Sequence, residues 1–331
     1  MLYSRYTSEK IANLSMITLS KHIFISLLTA KNLSKNKGLK KFIEIFVIRF
    51  LYAFNFIRNL LNPKNNFEPN VSSKNFYEKN ITCGDVLKDL NNYGYNNFLK
   101  LRKNYLDLIK NEICLKNSII TYKGNKNLQK FQSSLVTDSN LSHILEKSIE
   151  NEISHVALDI NLSETRYIRE LATSDFLISL SRKYINAKKI SISGQCYISN
   201  PINTSESEKK DNAQFYHYDN DFKKFFKVFI YLNNVDLQTG PHSFVSKTNT
   251  KKLFKHIIAK RIDDEEIKKC YDPKGIKIFC GDEGSIIIED TFGLHKGVSP
   301  IKNSRMVLIL IYGHGLGIDI YKNSLIKEYK N

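Results

Sequence analysis

The hydrophobic pattern changes period once along this chain, and that change constrains the fold more than any other feature. Ser174-Asp175 opens a run in which Phe176, Leu177, Leu180 and Tyr184 share one helical face. Beyond it, apolar residues alternate instead. Ile190 to Ser199 (ISISGQCYIS), Lys227 to Leu232 (KVFIYL), Gly284 to Glu289 (GSIIIE) and Arg305 to Tyr312 (RMVLILIY) read as strands, the last the most strand-like run in the chain. Thr239-Gly240-Pro241 marks the tip of a turn over 233–241, and Gly281-Asp282 a second turn. Ser243 to Ser246 is expected to pair back as a hairpin partner. Helices first, then many short strands separated by turns, imply an α+β chain whose second part is an antiparallel sandwich or barrel.

Upstream, a short helix is expected over 85–90, capped by Asp85 and ended near Gly94, followed by one carrying Phe98, Leu101, Tyr105, Leu108 and Ile109. Ser118 to Lys123 reads as a strand and Leu141 to Ile153 as a helix. The polar, proline-bearing stretch around 62–80 reads as a linker. The expected division is therefore a helical extension at 1–65, a linker at 66–82 and a main domain at 83–331. Within the extension, Ile43, Phe46, Val47, Phe50, Leu51, Phe54 and Leu61 recur at helical spacing until Pro63. Two readings stay open for 40–61: a helix packed on the main domain or a partner, and a basic helix making peripheral membrane contact. Glu44, Arg49, Asn55 and Arg58 interrupt the apolar run and argue against a spanning helix.

The 331 residues carry 50 Lys and Arg against 33 Asp and Glu, a net charge of +17. The excess is spread along the chain without the aromatic interleaving of a nucleic-acid module, so no nucleic-acid partner is expected. The five cysteines form no CxxC pair and are odd in number, which fits a reducing cytoplasm and argues against a disulfide framework or a zinc site. Met1 to Lys10 does not resemble a secretory signal.

The chemistry concentrates between Gln214 and Arg305. His217 and Asp219 stand two apart in AQFYHYDND, so an extended backbone points both to one side. His295 in EDTFGLHKG follows a strand, and Arg305 begins the next. Each residue alone is more often an ordinary histidine or carboxylate. Together, two imidazoles and one carboxylate make the facial ligand set of a non-haem iron(II) oxygenase, which leaves three metal positions open. Arg305 shares a strand face with Val307, Ile309 and Ile311 and so points inward. An inward guanidinium needs an acidic partner: either an internal Asp or Glu, or a carboxylate that arrives with a cosubstrate.

These stretches, QFYHYDND, FKVFIYLNNVDLQTGPHSFVSKTN, GDEGSIIIEDTFGLHKGVSP and SRMVLILIYG, resemble the phytanoyl-CoA dioxygenase-like iron(II)/2-oxoglutarate oxygenases. The match is specific over about 190–313, looser back to about 83, and absent from 1–65. It implies a double-stranded β-helix, the cupin-like jelly roll, with flanking helices. It also implies His217, Asp219 and His295 as iron ligands, Arg305 as the anchor for 2-oxoglutarate, and Gln195 as a further cosubstrate contact. His242 falls at a variable position of the family and is expected to be structural or to line the pocket mouth. The chain departs from the pattern at Val307, where some related oxygenases have a small hydroxyl residue, and at 200–212, which matches nothing assignable. The implied reaction consumes O2 and 2-oxoglutarate, releases succinate and hydroxylates a small or carrier-linked metabolite. A jelly-roll binding protein without catalysis is the competing expectation, and the complete residue set argues against it.

Overall fold

The structure is a computed structural model. It describes residues 76–120, 128–203, 213–259, 261–314 and 324–328, besides isolated positions between 23 and 46. Most of the expected helix at 40–61, nearly all of the extension and linker residues 66–75 lie outside the described residues, as does most of the loop at 200–212.

Eleven strands form two antiparallel sheets among the described residues: β1 (Tyr95–Lys100), β2 (Ser118–Ile120), β3 (His155–Ile160), β4 (Lys189–Ser199), β5 (Lys224–Tyr231), β6 (His242–Val245), β7 (Ile276–Phe279), β8 (Ser285–Glu289), β9 (His295–Gly297), β10 (Arg305–His314) and β11 (Leu325–Glu328). The large sheet runs β1-β8-β5-β10-β4-β3-β2, with β11 also pairing β4; the small one runs β7-β6-β9. The helices used below are α1 (Cys83–Asn92), α2 (Lys103–Glu112), α3 (Leu141–Glu150), α4 (Asp175–Ile185), α5 (Phe254–Ala259) and α6 (Asp264–Cys270).

β10 is the middle of the large sheet. It pairs β4 from Arg305↔Ser199 to Gly313↔Ser191, and β5 from Val307↔Tyr231 to His314↔Lys224. Its sequence is almost continuously apolar because both faces are covered. Leu308, Leu310 and Tyr312 face outward, packing with Val228, Ile230, Ile286 and Ile288 against Val86 and Leu90 of α1 and Phe176, Leu177 and Leu180 of α4. Val307, Ile309 and Ile311 face inward with Phe229, Tyr231 and Ile287, against Phe244, Phe279 and Leu294 on the small-sheet side. Two sheets thus enclose one apolar layer, and helices cover the back of the larger.

Four expectations change. Phe98 and Leu101 are not helical: Gly94, at φ +89°, ends α1, and the chain turns into β1 along β8, with Tyr95↔Glu289 and Leu99↔Ile286. Leu99 is buried and Phe98 exposed, as strand alternation requires, and helix resumes at Lys103. The cap of α1 is Thr82, not Asp85. Thr82 Oγ1 accepts from the Asp85 backbone N–H and Asp85 accepts from the Thr82 N–H, each at 3.2 Å. The segment 242–245 is no hairpin partner of β5. The 233–241 turn carries it across to the small sheet, where it pairs β7 and β9. The helix from Leu141 ends at Glu150, short of Ile153. None of the five cysteines forms a disulfide. No described helix is long and apolar enough to cross a membrane.

Truncating fully buried Leu310 to Ala is expected to cost about 2–5 kcal/mol in urea unfolding. The same change at Ile278, 52% exposed on β7, is expected to stay within about 0.5 kcal/mol.

Candidate metal centre

The stretch before β5 and the start of β9 are tied by a two-way backbone bridge. His217 N–H donates to His295 O at 2.9 Å, and His295 N–H to His217 O at 2.8 Å. Tyr216 is bridged to Ile262 in the same way, and Asp219 N–H donates to Thr291 O at 2.8 Å. The backbone is extended here, so His217 and Asp219 project to one side and Tyr218 to the other. Tyr218 is buried against Phe292, and its hydroxyl donates to Ile257 O on α5 at 2.6 Å.

The three expected ligands meet. His217 Nε2 lies 3.8 Å from one Asp219 oxygen and His295 Nε2 3.5 Å from the other, and the imidazole centroids are 4.3 Å apart. All three ligand atoms fall within 4.8 Å of one another. Each imidazole spends Nδ1 on a carbonyl, His217 on Phe215 O at 3.0 Å and His295 on Gly293 O at 2.9 Å. A proton held on Nδ1 leaves the Nε2 lone pair for a cation. Burial pushes both imidazoles down, and their mutual repulsion adds to this at His217, so both are neutral at pH 7. The donor set therefore fits one divalent transition metal, with two imidazole nitrogens and one carboxylate.

Sequence reasoning missed Lys227. Its ammonium donates to Asp219 Oδ2 at 2.7 Å, and both side chains are largely buried. Burial alone raises the Asp219 carboxyl, but Lys227 and the two imidazoles outweigh it and hold the group well below the usual range. The signal was available: in KVFIYL, position 227 falls on the inward face with Phe229 and Tyr231.

His242 is not at a pocket mouth. It is buried, with its ring 5.6 Å from His295 and 4.5 Å from Phe229, and its Nε2 pairs with Glu289 at 2.9 Å. Glu289 is wholly buried on β8, and its other oxygen, Oε1, lacks a hydrogen-bond partner. Burial raises the Glu289 carboxyl to about 8 and lowers His242 to about 3, so this pair is neutral at pH 7.

Arg305 is buried at the start of β10. One Nη donates to Gly240 O, the other lies 3.4 Å from Ser199 Oγ, and Nε has no partner. No carboxylate pairs with it among the described residues, and burial lowers its pKa. The guanidinium lies over Gly297, where a Cβ would come within 2.6 Å of Nη2, so a larger residue there would push the guanidinium aside. Gln195 lies on β4, where its Nε2 donates to Asp159 Oδ1 at 2.7 Å and its Oε1 accepts from Tyr197 at 2.9 Å.

A second cluster, His256, Glu266 and Cys270 on α5 and α6, is already satisfied internally. Lys255 lies 2.6 Å from Glu266, and both His256 nitrogens have partners, Tyr271 at 2.8 Å and Glu266 at 3.2 Å.

No family model matches the sequence, and no curated protein matches it. Among solved structures the chain is similar to AviO1 from Streptomyces viridochromogenes, at 11% identity, covering 70% of this chain and 94% of that one with a TM-score of 0.41. It is similar to HygX from Streptomyces hygroscopicus with nickel and 2-oxoglutarate bound, at 13% identity, 69% and 86% coverage and a TM-score of 0.40. It is also similar to the non-heme monooxygenase ThoJ, at 9% identity, 75% and 85% coverage and a TM-score of 0.44.

Burial, followed by the charge of Arg305, lowers His155 on β3 from 6.5 to about 4. The unfolded chain binds the extra proton first, so this group's contribution is present above pH 6.5 and lost as pH falls toward 4. A His155→Gln variant is expected to lose about 2–3 kcal/mol less than wild type between pH 7 and 4.5, measured by urea unfolding without metal.

Proposed function

We propose that the protein is an iron(II)- and 2-oxoglutarate-dependent oxygenase of the phytanoyl-CoA dioxygenase-like group, built on a double-stranded β-helix. One observation carries this reading: a cluster of two neutral histidines and one carboxylate shares an interior with a buried arginine that has no acidic partner among the described residues. A structural arginine buried among protein groups would be matched by a carboxylate. Among the described residues this one is matched by neutral oxygens, which suits a ligand that brings its own carboxylate.

Bound iron(II) would supply the redox chemistry that couples oxidative decarboxylation of 2-oxoglutarate to oxidation of a substrate C–H bond. His217 and His295 would hold it through Nε2, with the Nδ1–carbonyl bonds fixing the ring planes. Lys227 occupies one Asp219 oxygen, so the carboxylate would offer a metal the other. Arg305 would take the far carboxylate of 2-oxoglutarate. His242 and Tyr231 both lie near enough to Arg305 to feel its charge, and the His242 ring lies 5.6 Å from that of His295. The neutral His242–Glu289 pair puts no added charge beside a dianionic cosubstrate.

The test is iron-dependent conversion of 2-oxoglutarate to succinate. Wild type is expected to release succinate. His217→Ala and Asp219→Ala are expected to lose it with unchanged circular dichroism, and Arg305→Leu to raise the 2-oxoglutarate KM at least tenfold. Unchanged turnover in either ligand variant would sink the assignment. A second prediction concerns Lys227. In metal-free Lys227→Met the Asp219 carboxylate loses its compensating charge, for a cost of about 3 kcal/mol in unfolding free energy. Adding manganese(II) is expected to restore most of that stability. Equal destabilisation with and without metal would contradict the shared role of Lys227 and the cation at Asp219.

A further inference from the structure

The inward face of the large sheet changes character between β10 and β4. On β5, β8 and β10 it is apolar apart from Lys227, Glu289 and Arg305, and is covered by the small sheet. On β3 and β4 the registers Ser199↔His155, Tyr197↔Ala157 and Gln195↔Asp159 place a mostly polar set on that same face. The opposite face of these two strands is apolar and buried, with Val156, Leu158, Ile160, Cys196 and Ile198 packed in the core beneath the helices. The alternation is clean, so the polar side is a defined surface of a well-anchored sheet.

This surface is not ordinary solvent-facing sheet. Ser199 is buried, and His155, Asp159, Gln195 and Tyr197 are each half-buried. It adjoins the centre: Tyr197 lies near enough to Asp219 and Lys227 for their charges to act on its hydroxyl, and His155 is similarly placed beside Arg305. Its groups are ordered in a chain. Tyr197 OH donates to Gln195 Oε1 at 2.9 Å, and Gln195 Nε2 donates to Asp159 Oδ1 at 2.7 Å. That chain ends on a carboxylate that makes no ion pair among the described residues. The His155 and Tyr197 rings stack at 5.1 Å and 27°, which adds a flat aromatic platform.

We propose that this floor, at the oxygenase site argued above, takes a neutral polyhydroxylated substrate, a sugar or cyclitol ring, with Asp159 and Gln195 engaging adjacent hydroxyls and the His155–Tyr197 stack lying against the C–H face of the ring. The reasons are those of pairing. Asp159 offers an acceptor oxygen and Gln195 a second N–H donor beside it, and a vicinal diol both donates and accepts. An acyl chain laid over the same groups would strip water from a carboxylate and an amide without replacing its hydrogen bonds. A site built to hydrogen-bond a hydroxyl rejects strongly a ligand that lacks it.

The test is equilibrium binding to the full chain by saturation-transfer NMR. One panel holds neutral hexoses, disaccharides and cyclitols, and the other fatty acids and acyl thioesters of matched size. Members of the polyol panel are expected to bind, and Asp159→Ala and Gln195→Ala to weaken them at least tenfold. If Asp159→Ala does not fold, Asp159→Asn serves instead, since its amide presents a donor where the hydroxyl needs an acceptor. Binding confined to the acyl panel, or polyol binding unmoved in these variants, would overturn the proposal. The readout involves no turnover. Polyol binding without iron-dependent succinate formation would overturn the oxygenase reading and leave the floor standing; succinate formation without polyol binding would do the reverse.

Discussion

The pair of backbone hydrogen bonds between His217 and His295 is the constraint on which the rest of the centre depends. It joins two segments 78 residues apart, and it sets both imidazoles on one side at 4.3 Å. Asp219 follows from it, because two residues along an extended backbone return to the same face. The bridge could not hold by itself. It is backed by Tyr216 paired to Ile262 and by Tyr218 buried against Phe292, and β9 is paired to β6. The small sheet in turn is held by the apolar layer it shares with β5, β8 and β10.

Charge is distributed unevenly around this bridge. The Asp219 carboxylate is already matched by the Lys227 ammonium, and the His242–Glu289 pair is neutral by burial. Among the described residues Arg305 is left with an unmatched charge and an Nε–H without a partner, although it too is buried. A low-dielectric interior tolerates that only where something compensates it. The interior is thus prepared for a cation at one end and an anion at the other, the arrangement that a metal and a dicarboxylate satisfy together.

Much of this was legible in the sequence, for a physical reason. β10 is buried on both faces, and so its residues 305–312 could hardly read as anything but a strand. The short β7, half-exposed, gave no comparable signal. Phe98 and Leu101 fit a helical period by coincidence, and pairing with β8 overrode it. His217, Asp219 and His295 stood out by residue type and spacing. Lys227 and Glu289 did not, because a lysine or glutamate in a strand usually faces water. Only the register, which sets 227 opposite 289 across β5 and β8, brings both inward. His242, expected to be structural or at the pocket mouth, is structural: the chain crosses after the 233–241 turn to the opposite sheet and buries it against Glu289. Asp159 drew no attention either, since its role depends on a neighbour 36 residues away.

The central claim is that His217, Asp219 and His295 are the ligands of one metal ion. Anomalous diffraction from crystals grown with iron(II) under nitrogen measures this directly. The account predicts one principal anomalous peak, within coordination distance of Nε2 of both histidines and one Asp219 oxygen, with Lys227 still on the other oxygen. A peak at His256, Glu266 and Cys270 instead, or none between the two imidazoles with Lys227 Nζ closing that space, would contradict it.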